Sequence, residues 1–223
     1  MLRCRDLERK QKSRSSAREA LLAATSIHLL PGDLLSAPRA DLIAGQLAPA
    51  AKKTGRSDSL IPAHSLSMRL PLCAAAARGL QASGMDGVVL GYAHAGVHEP
   101  GWQAALEWAQ QSQLPLLLVC ADASGGTRAR AGKHREPALD FATMSRFAKR
   151  MKLPVLTVDG EDAVAVYRVM QESVLRARHG GGPAVLWAVM TPLSAAAPKM
   201  ARSRQPITRL ETYLAARNIP FGR

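Results

Sequence analysis

The stretch LPVLTVDGEDAVAVYRVMQESVLRARHGGGPAVLWAVMT, residues 153–191, decides the fold. It opens on a short apolar run that Asp159-Gly160 breaks off, and Asp162 follows as a good helix N-cap. Val166, Val169, Met170 and Val174 then recur at the spacing of one helical face. Three glycines and Pro183 stop the helix, and a second apolar run follows to Thr191. Strand, helix and strand in this order make a crossover unit whose strands pair in parallel. Short apolar runs without polar alternation are how strands buried on both faces read.

The same alternation extends upstream. VVLGYA (88–93) and LPLLLVCA (114–121) are two further apolar runs, each bounded by Gly, Pro or Asp. Between them, Trp102, Ala105, Leu106 and Ala109 keep helical spacing, and Phe141, Met144, Ala148 and Met151 are expected to line one face of the next helix. Ser15 to Leu30 reads as a helix that Pro31-Gly32-Asp33 ends, and residues 48–62 read as a polar loop. The expected class is α/β, a parallel sheet with helices on both faces and strands including 88–92, 115–120, 154–158 and 184–190. The expected organisation is a basic flexible arm at 1–14, an α/β domain at 15–195, and a basic tail at 196–223 with a short helix near 208–217.

Composition agrees with one sizeable soluble domain. The chain has 223 residues, 47% hydrophobic and 21% charged. Aromatics make up only 4%, so Ala, Leu and Val must fill the core. Cys73 and Cys120 lie in apolar runs and read as small buried hydrophobes in a reducing compartment; with Cys4 the count is odd, and no pair has metal-ligand spacing. Pro or charge interrupts every apolar stretch before membrane-spanning length, so no membrane association is expected. The first eighteen residues are basic, but Asp6 and Glu8, with Glu19 just beyond, argue against a transit peptide; a cytoplasmic location is expected. The net charge of +13 raises nucleic acid or an acidic partner as ligands. No nucleic-acid motif accompanies it and aromatics for stacking are scarce, so nucleic-acid binding ranks last.

Ligands in open α/β sheets bind beyond the carboxyl ends of the strands. Two segments hold that position: GYAHAGVHEPG (91–101), read as a loop after strand VVL, and ADASGGTRARAGKHR (121–135). The second carries Arg128, Arg130, Lys133 and Arg135, which read as an anion site or, more plainly, as a solvated loop. His94 and His98 have the spacing of a zinc pair on a helix, but Gly96 and Pro100 make the segment a loop and no third ligand is placed, so no metal site is assigned. HGGGP (179–183) matches the oxyanion string of lipases, yet it follows a helix where theirs follows a strand, and no G-x-S-x-G accompanies it.

The order of segments resembles the alpha subunit of thiamine-diphosphate-dependent 2-oxo acid dehydrogenases. RLPLCAAAARGLQASGMDGVVLGYAHAG (69–96) is similar to the small-residue helix that leads into a strand and a GDG loop in that family. WQAALEWAQQSQLPLLLVCADASGGT (102–127) is similar to the next helix and the strand ending in N-N. Residues 153–191 follow the family's strand, V-D-G turn, capped helix, G-x-G-P and final strand almost position by position, and REALLAATSIHLLPGD (18–33) resembles its upstream helix ending in P-G-D.

The resemblance implies the thiamine-diphosphate-binding fold. In the family, the GDG and N-N signature holds magnesium and the cofactor's diphosphate. By resemblance the corresponding residues are Gly91, Tyr92 and Ala93 for GDG, Asp122 and Ala123 for N-N, and Arg39, in PRADLI (38–43), for the arginine of the Y-R-D-H-x-H segment. Tyr92 supplies no carboxylate for a cation that prefers oxygen anions, and no histidine follows Arg39. The Gly-rich S-M-H segment that closes over the cofactor is reduced to the loop near 48–62, and His64 beside it takes no role. No catalytic residue and no metal ligand is therefore assigned, and binding of thiamine diphosphate with magnesium is in doubt. The leading expectation is an alpha-subunit-like protein with lost or impaired catalysis that partners a beta-like subunit or self-associates. The rival is a surviving oxidoreductase that decarboxylates a 2-oxo acid, and the third reading is a basic nucleic-acid binder.

Overall fold

The computed structural model describes residues 1–2, 4, 18–38, 65–124, 138–191 and 205–221. Within them the order is α1 (Glu19–Ser26), β1 (Leu34–Ser36), α2 (Leu66–Ala82), β2 (Val89–His94), α3 (Trp102–Gln111), β3 (Leu116–Asp122), α4 (Phe141–Met151), β4 (Val155–Asp159), α5 (Ala163–Arg178), β5 (Ala184–Val189) and α6 (Pro206–Ala215). The five strands form one sheet in the order β1-β2-β3-β5-β4, and every pair is parallel.

The connections explain the layering. From β1 to β4 the chain steps in one direction across the sheet, and α2, α3 and α4 cover one face. From β4 it steps back to β5, and right-handed crossovers then place α5 on the other face, beside α1. Two apolar layers result. Leu21, Leu90, Val119, Val166, Met170 and Leu186 pack under α1 and α5. Leu70, Leu106, Leu118, Met144, Phe147 and Trp187 pack under α2, α3 and α4. Trp102 meets Phe147 edge-on at 5.4 Å between ring centroids, which joins α3 to α4.

Asp162 caps its helix as the sequence signals, and Asp140 is a second cap that the sequence analysis does not name. The Asp162 carboxylate accepts from the amides of Val164 and Ala165, both at 3.0 Å, and so starts α5. Asp140 accepts from Thr143 at 2.7 Å and starts α4. The expected stripe on α4 is corrected at one end: Met144, Phe147 and Ala148 are buried and Met151 is half-buried against the same layer, while Phe141 is exposed. Phe141 sits at the helix start and leans instead on the Trp187 ring, at 5.6 Å.

One buried polar anchor and one close backbone approach hold the layers in register. At the amino edge of the sheet, one Asp33 oxygen accepts from Val88 at 2.9 Å; the other accepts from Leu30 at 2.7 Å and pairs with Arg178 from the end of α5. At the opposite edge, Gly160 fits so closely under β5 that a Cβ there would meet Met190 Sδ at 2.5 Å and Ala188 Cβ at 3.0 Å. The tail helix α6 lies against α1 and α5. Cys4, within the expected basic arm, is fully buried in the α1/α5 layer; residues 5–14 lie outside the described residues. Among the described residues, no helix is long and apolar enough to cross a membrane.

The three cysteines are buried free thiols, as expected for Cys73 and Cys120. Burial raises the pKa of the Cys73 thiol and raises that of Cys120 further, since Asp122 adds like charge. Reactivity requires an accessible thiolate. The folded protein should therefore leave all three unmodified by a thiol reagent that labels all three in denaturant. Rapid labelling of Cys73 or Cys120 under native conditions, read by mass spectrometry, would contradict this packing.

Candidate functional site at the carboxyl edge of the sheet

Open parallel sheets bind ligands outside the carboxyl ends of their strands, where neighbouring strands send their connections to opposite faces. Here β3 leads to α4 on one face, and β5 leads to α6 on the other. Asp122 and Val189 are paired in register at the ends of these two strands. The carboxyl edge of the sheet at this pair is the candidate site.

Asp122 is tied down. One carboxylate oxygen accepts from the Trp187 indole N–H at 3.0 Å, and the other accepts from the Ser124 amide at 2.9 Å, closing a turn at the end of β3. Its backbone carbonyl accepts from Met190 at 2.7 Å, extending the β3–β5 pairing. Trp187 lies beside Cys120 on the α2–α4 face of the sheet, and Asp122 is the next residue up on that face. The carboxylate thus satisfies a buried indole that would otherwise lack an acceptor.

Gly91, Tyr92 and Ala93 are placed differently from the expected loop. β2 continues through all three to His94, pairing with Leu118, Val119, Cys120 and Ala121. A Cβ at Gly91 would meet Cys73 Sγ at 3.6 Å and Leu118 Cδ1 at 3.7 Å, which are ordinary contacts, so the glycine does not end the strand. Tyr92 is 4% exposed in the α1/α5 layer, and its hydroxyl bonds to Thr25 Oγ1 of α1. Thr25 in turn donates to the Leu21 carbonyl at 2.7 Å. Tyr92 and Asp122 therefore point to opposite faces of the sheet and are not brought together. Arg39 lies outside the described residues, as do Arg128, Arg130, Lys133, Arg135 and His64.

The strand end itself is His94, in register with Ala121. Beyond it, Ala95 donates to the Ala121 carbonyl and Gly96 to the Leu139 carbonyl, both at 2.9 Å, so the connection is fastened down at once. Glu99 reaches the first turn of α2, where its carboxylate accepts from Ser67 at 2.7 Å. His94 ends a strand and His98 lies in a connection, so they do not share a helical face. Among the described residues, no three His, Cys, Asp or Glu side chains gather as a metal-ligand group.

Sequence reasoning missed three residues here. Trp187 is the partner that fixes Asp122; a tryptophan in a buried strand, whose indole must find an acceptor, was the available signal. Thr25 holds Tyr92, and nothing in the local pattern marks it. Arg69 is 3% exposed, and its guanidinium donates to the Tyr92 carbonyl at 2.9 Å. Its signal was an arginine inside an apolar helical run.

The family described as "Dehydrogenase E1 component" matches residues 65–191, more than half of the chain. The chain belongs to the dehydrogenase E1 component family. The match begins where the described residues resume before α2 and ends just past β5, so the family region contains α2, β2, α3, β3, α4, β4, α5 and β5.

A curated relative of this E1-family chain is the alpha subunit of acetoin:2,6-dichlorophenolindophenol oxidoreductase from Bacillus subtilis (strain 168), 32% identical over 91 residues. That alignment covers 41% of this chain and 25% of the relative, so the E1-family chain spans about a quarter of the curated protein it matches. Two solved structures share the fold. One, from Mycobacterium smegmatis, is provisionally described as thiamin diphosphate-dependent; its TM-score is 0.56 at 15% identity, over 80% of this chain and 32% of that one. The other is benzoylformate decarboxylase from Polynucleobacter necessarius, TM-score 0.54 at 15% identity, over 78% and 33%. The fold class is therefore the expected one, an α/β parallel sheet with helices on both faces of the thiamine-diphosphate-binding kind.

Magnesium bound with a diphosphate needs a near-octahedral set of oxygens, one or two of them from carboxylates. Gly91 and Ala93 have no donor side chain. The Tyr92 hydroxyl is turned into the α1/α5 layer, and both Asp122 oxygens already accept hydrogen bonds. These four positions do not fit a magnesium–diphosphate group, and no reaction step is derived through one.

Proposed function

We propose that this E1-family chain is alpha-subunit-like, with catalysis lost or impaired, and that it serves as partner or scaffold of a beta-like subunit or of a second copy of itself. The observation that carries this reading is the use of the two candidate cofactor side chains as structural ties, Tyr92 to α1 and Asp122 to Trp187. A carboxylate already shared by a buried indole and a backbone amide has less charge left for a cation, and turning it away would orphan the indole N–H at a cost of about 1–3 kcal/mol. A diphosphate held only by arginines in contact with water would gain about 0–1 kcal/mol from each pair.

The outer face of α2 supports a role beside a partner. Met68 and Leu72 are 61% and 39% exposed, and Ala75, Gly79 and Ala82 continue the same side of the helix. Arg78 is the one charge among the exposed residues of this helix, in a chain whose net charge is +13. A weakly charged apolar face of this kind is what a packed subunit interface covers.

Titration calorimetry tests the reading, on the chain alone and with whatever subunit co-purifies. No saturable magnesium-dependent binding of thiamine diphosphate should be measured below about 1 mM, which corresponds to roughly −4 kcal/mol. Micromolar binding that disappears on chelating magnesium would overturn the loss of function and favour a surviving oxidoreductase acting on a 2-oxo acid. A sequence-specific nucleic-acid complex that persists at about 0.3 M salt would favour the third reading instead.

A further inference from the structure

The turn Asp159-Gly160-Glu161-Asp162 joins β4 to α5, and it is bound to the chain at both ends of residues 192–204. On the near side, Glu161 is buried and its carboxylate accepts from the Thr191 amide at 2.8 Å. On the far side, α6 presents Arg209, whose guanidinium forks over two carboxylates: Nη1 donates to Asp159 at 2.8 Å and Nη2 to Asp162 at 2.9 Å.

The second oxygen of each aspartate is engaged within the turn. Asp159 accepts from the Glu161 amide at 3.0 Å, and Asp162 caps α5. Gly160 donates to the Val189 carbonyl at 2.9 Å, which holds the turn against β5. Three acids thus surround one cation. The hydrogen bond to Asp159, and after it the charges of Asp159, Asp162 and Glu161, raise the pKa of the Arg209 guanidinium.

Few fully buried apolar groups hold α6. Only Pro206 and Ile207 of the helix are buried, and Ile207 is at 9% exposure; the remaining residues are half-buried or exposed. The Arg209, Asp159 and Asp162 side chains are 32%, 51% and 36% exposed, so salt reaches the fork. An element with few buried apolar groups and an ionic attachment open to water belongs to the low-stability end of a fold.

We propose that the Asp159–Asp162 turn is a latch and α6 the strap it holds, and that the strap detaches as a unit when the fork is screened or neutralised while the five-stranded sheet stays folded. Release uncovers the sides of α1 and α5 that α6 lies against, so ionic strength or a competing cationic group controls access to that surface. The inference rests on the fork and the burial pattern alone and is independent of the catalytic state of the chain.

Hydrogen exchange of the full chain, read by mass spectrometry at about 50 mM and 500 mM sodium chloride, tests it. Arg209→Ala should speed exchange of the 207–215 amides by about three- to tenfold at low salt, with β3 and β5 unchanged. The double variant D159N/D162N should do the same, because asparagine can still cap α5 and accept from the turn. High salt should bring the wild type to the level of these variants and leave the variants where they are. Arg209→Lys should keep most of the protection and its salt sensitivity. Unchanged exchange of α6 in both disruptive variants would overturn the proposal, as would a rise that includes β3 and β5 in equal measure.

Discussion

Tyr92→Asp should unfold this protein rather than return a metal ligand to it. Read by resemblance alone, the substitution restores the acidic residue of the GDG signature. In the structure, position 92 lies within β2 and faces the core under α1 and α5, packed with Leu90 and Val119 and joined to Thr25. Truncating a buried aromatic costs about 3–5 kcal/mol. An unpaired carboxylate left in that layer adds several kcal/mol more or must take up a proton. Together these approach or exceed the roughly 5–15 kcal/mol of a whole domain's stability. The expected result is no cooperative unfolding transition by circular dichroism for Tyr92→Asp. Tyr92→Phe, which loses only the hydroxyl contact, should cost about 1 kcal/mol. A folded Tyr92→Asp protein that binds magnesium would show that β2 ends earlier than described and that position 92 reaches the carboxyl edge.

Asp33→Ala should be the next most damaging single change. Its carboxylate is 1% exposed and serves three donors at once: the amides of Leu30 and Val88 and the guanidinium of Arg178. These come from the turn after α1, the residue before β2 and the last residue of α5, so one side chain ties three elements together at the amino edge of the sheet. Removing one member of a buried ion pair leaves the other charge without its counterion and costs about 3–5 kcal/mol. With a urea slope of roughly 2 kcal/mol/M, the denaturation midpoint should fall by about 1.5–2.5 M. Adding Arg178→Met to Asp33→Ala should recover part of the loss, because no buried charge then remains. A midpoint for Asp33→Ala within about 0.3 M of wild type would show that the pair contributes little.

The sheet was legible because its inner strands are buried on both faces and so appear as unbroken apolar runs. The expected strands at 88–92, 115–120, 154–158 and 184–190 correspond to β2, β3, β4 and β5 to within two residues at either end. β1 left no such mark: Leu34–Ser36 is three residues long and follows directly on the turn that ends α1. The candidate site was less legible, for two physical reasons. Gly91 interrupts an apolar run, which reads as the start of a loop, yet the space beside it is ordinary and the strand continues. Asp122 reads as a free strand-end carboxylate because its partner Trp187 lies 65 residues away, and local pattern carries no record of a contact at that distance. The stripe on α4 failed at its first residue for a related reason: periodicity names a face but not where the sheet beneath it stops, and Phe141 lies at that limit.

Gly160 limits what inheritance can do to this chain. A methyl group at that position would displace the end of the Met190 side chain and press on Ala188 Cβ and the Val189 carbonyl, so a descendant that keeps β5 under the turn is under pressure to keep a residue without a side chain there. Its persistence among relatives would then record a steric limit on the backbone, and it would look the same in lineages that retain turnover and in lineages that have abandoned it. An invariant glycine next to acidic residues at the ligand-binding edge of such a sheet is easily mistaken for a relic of chemistry. At this turn it is a spacer between two pieces of main chain.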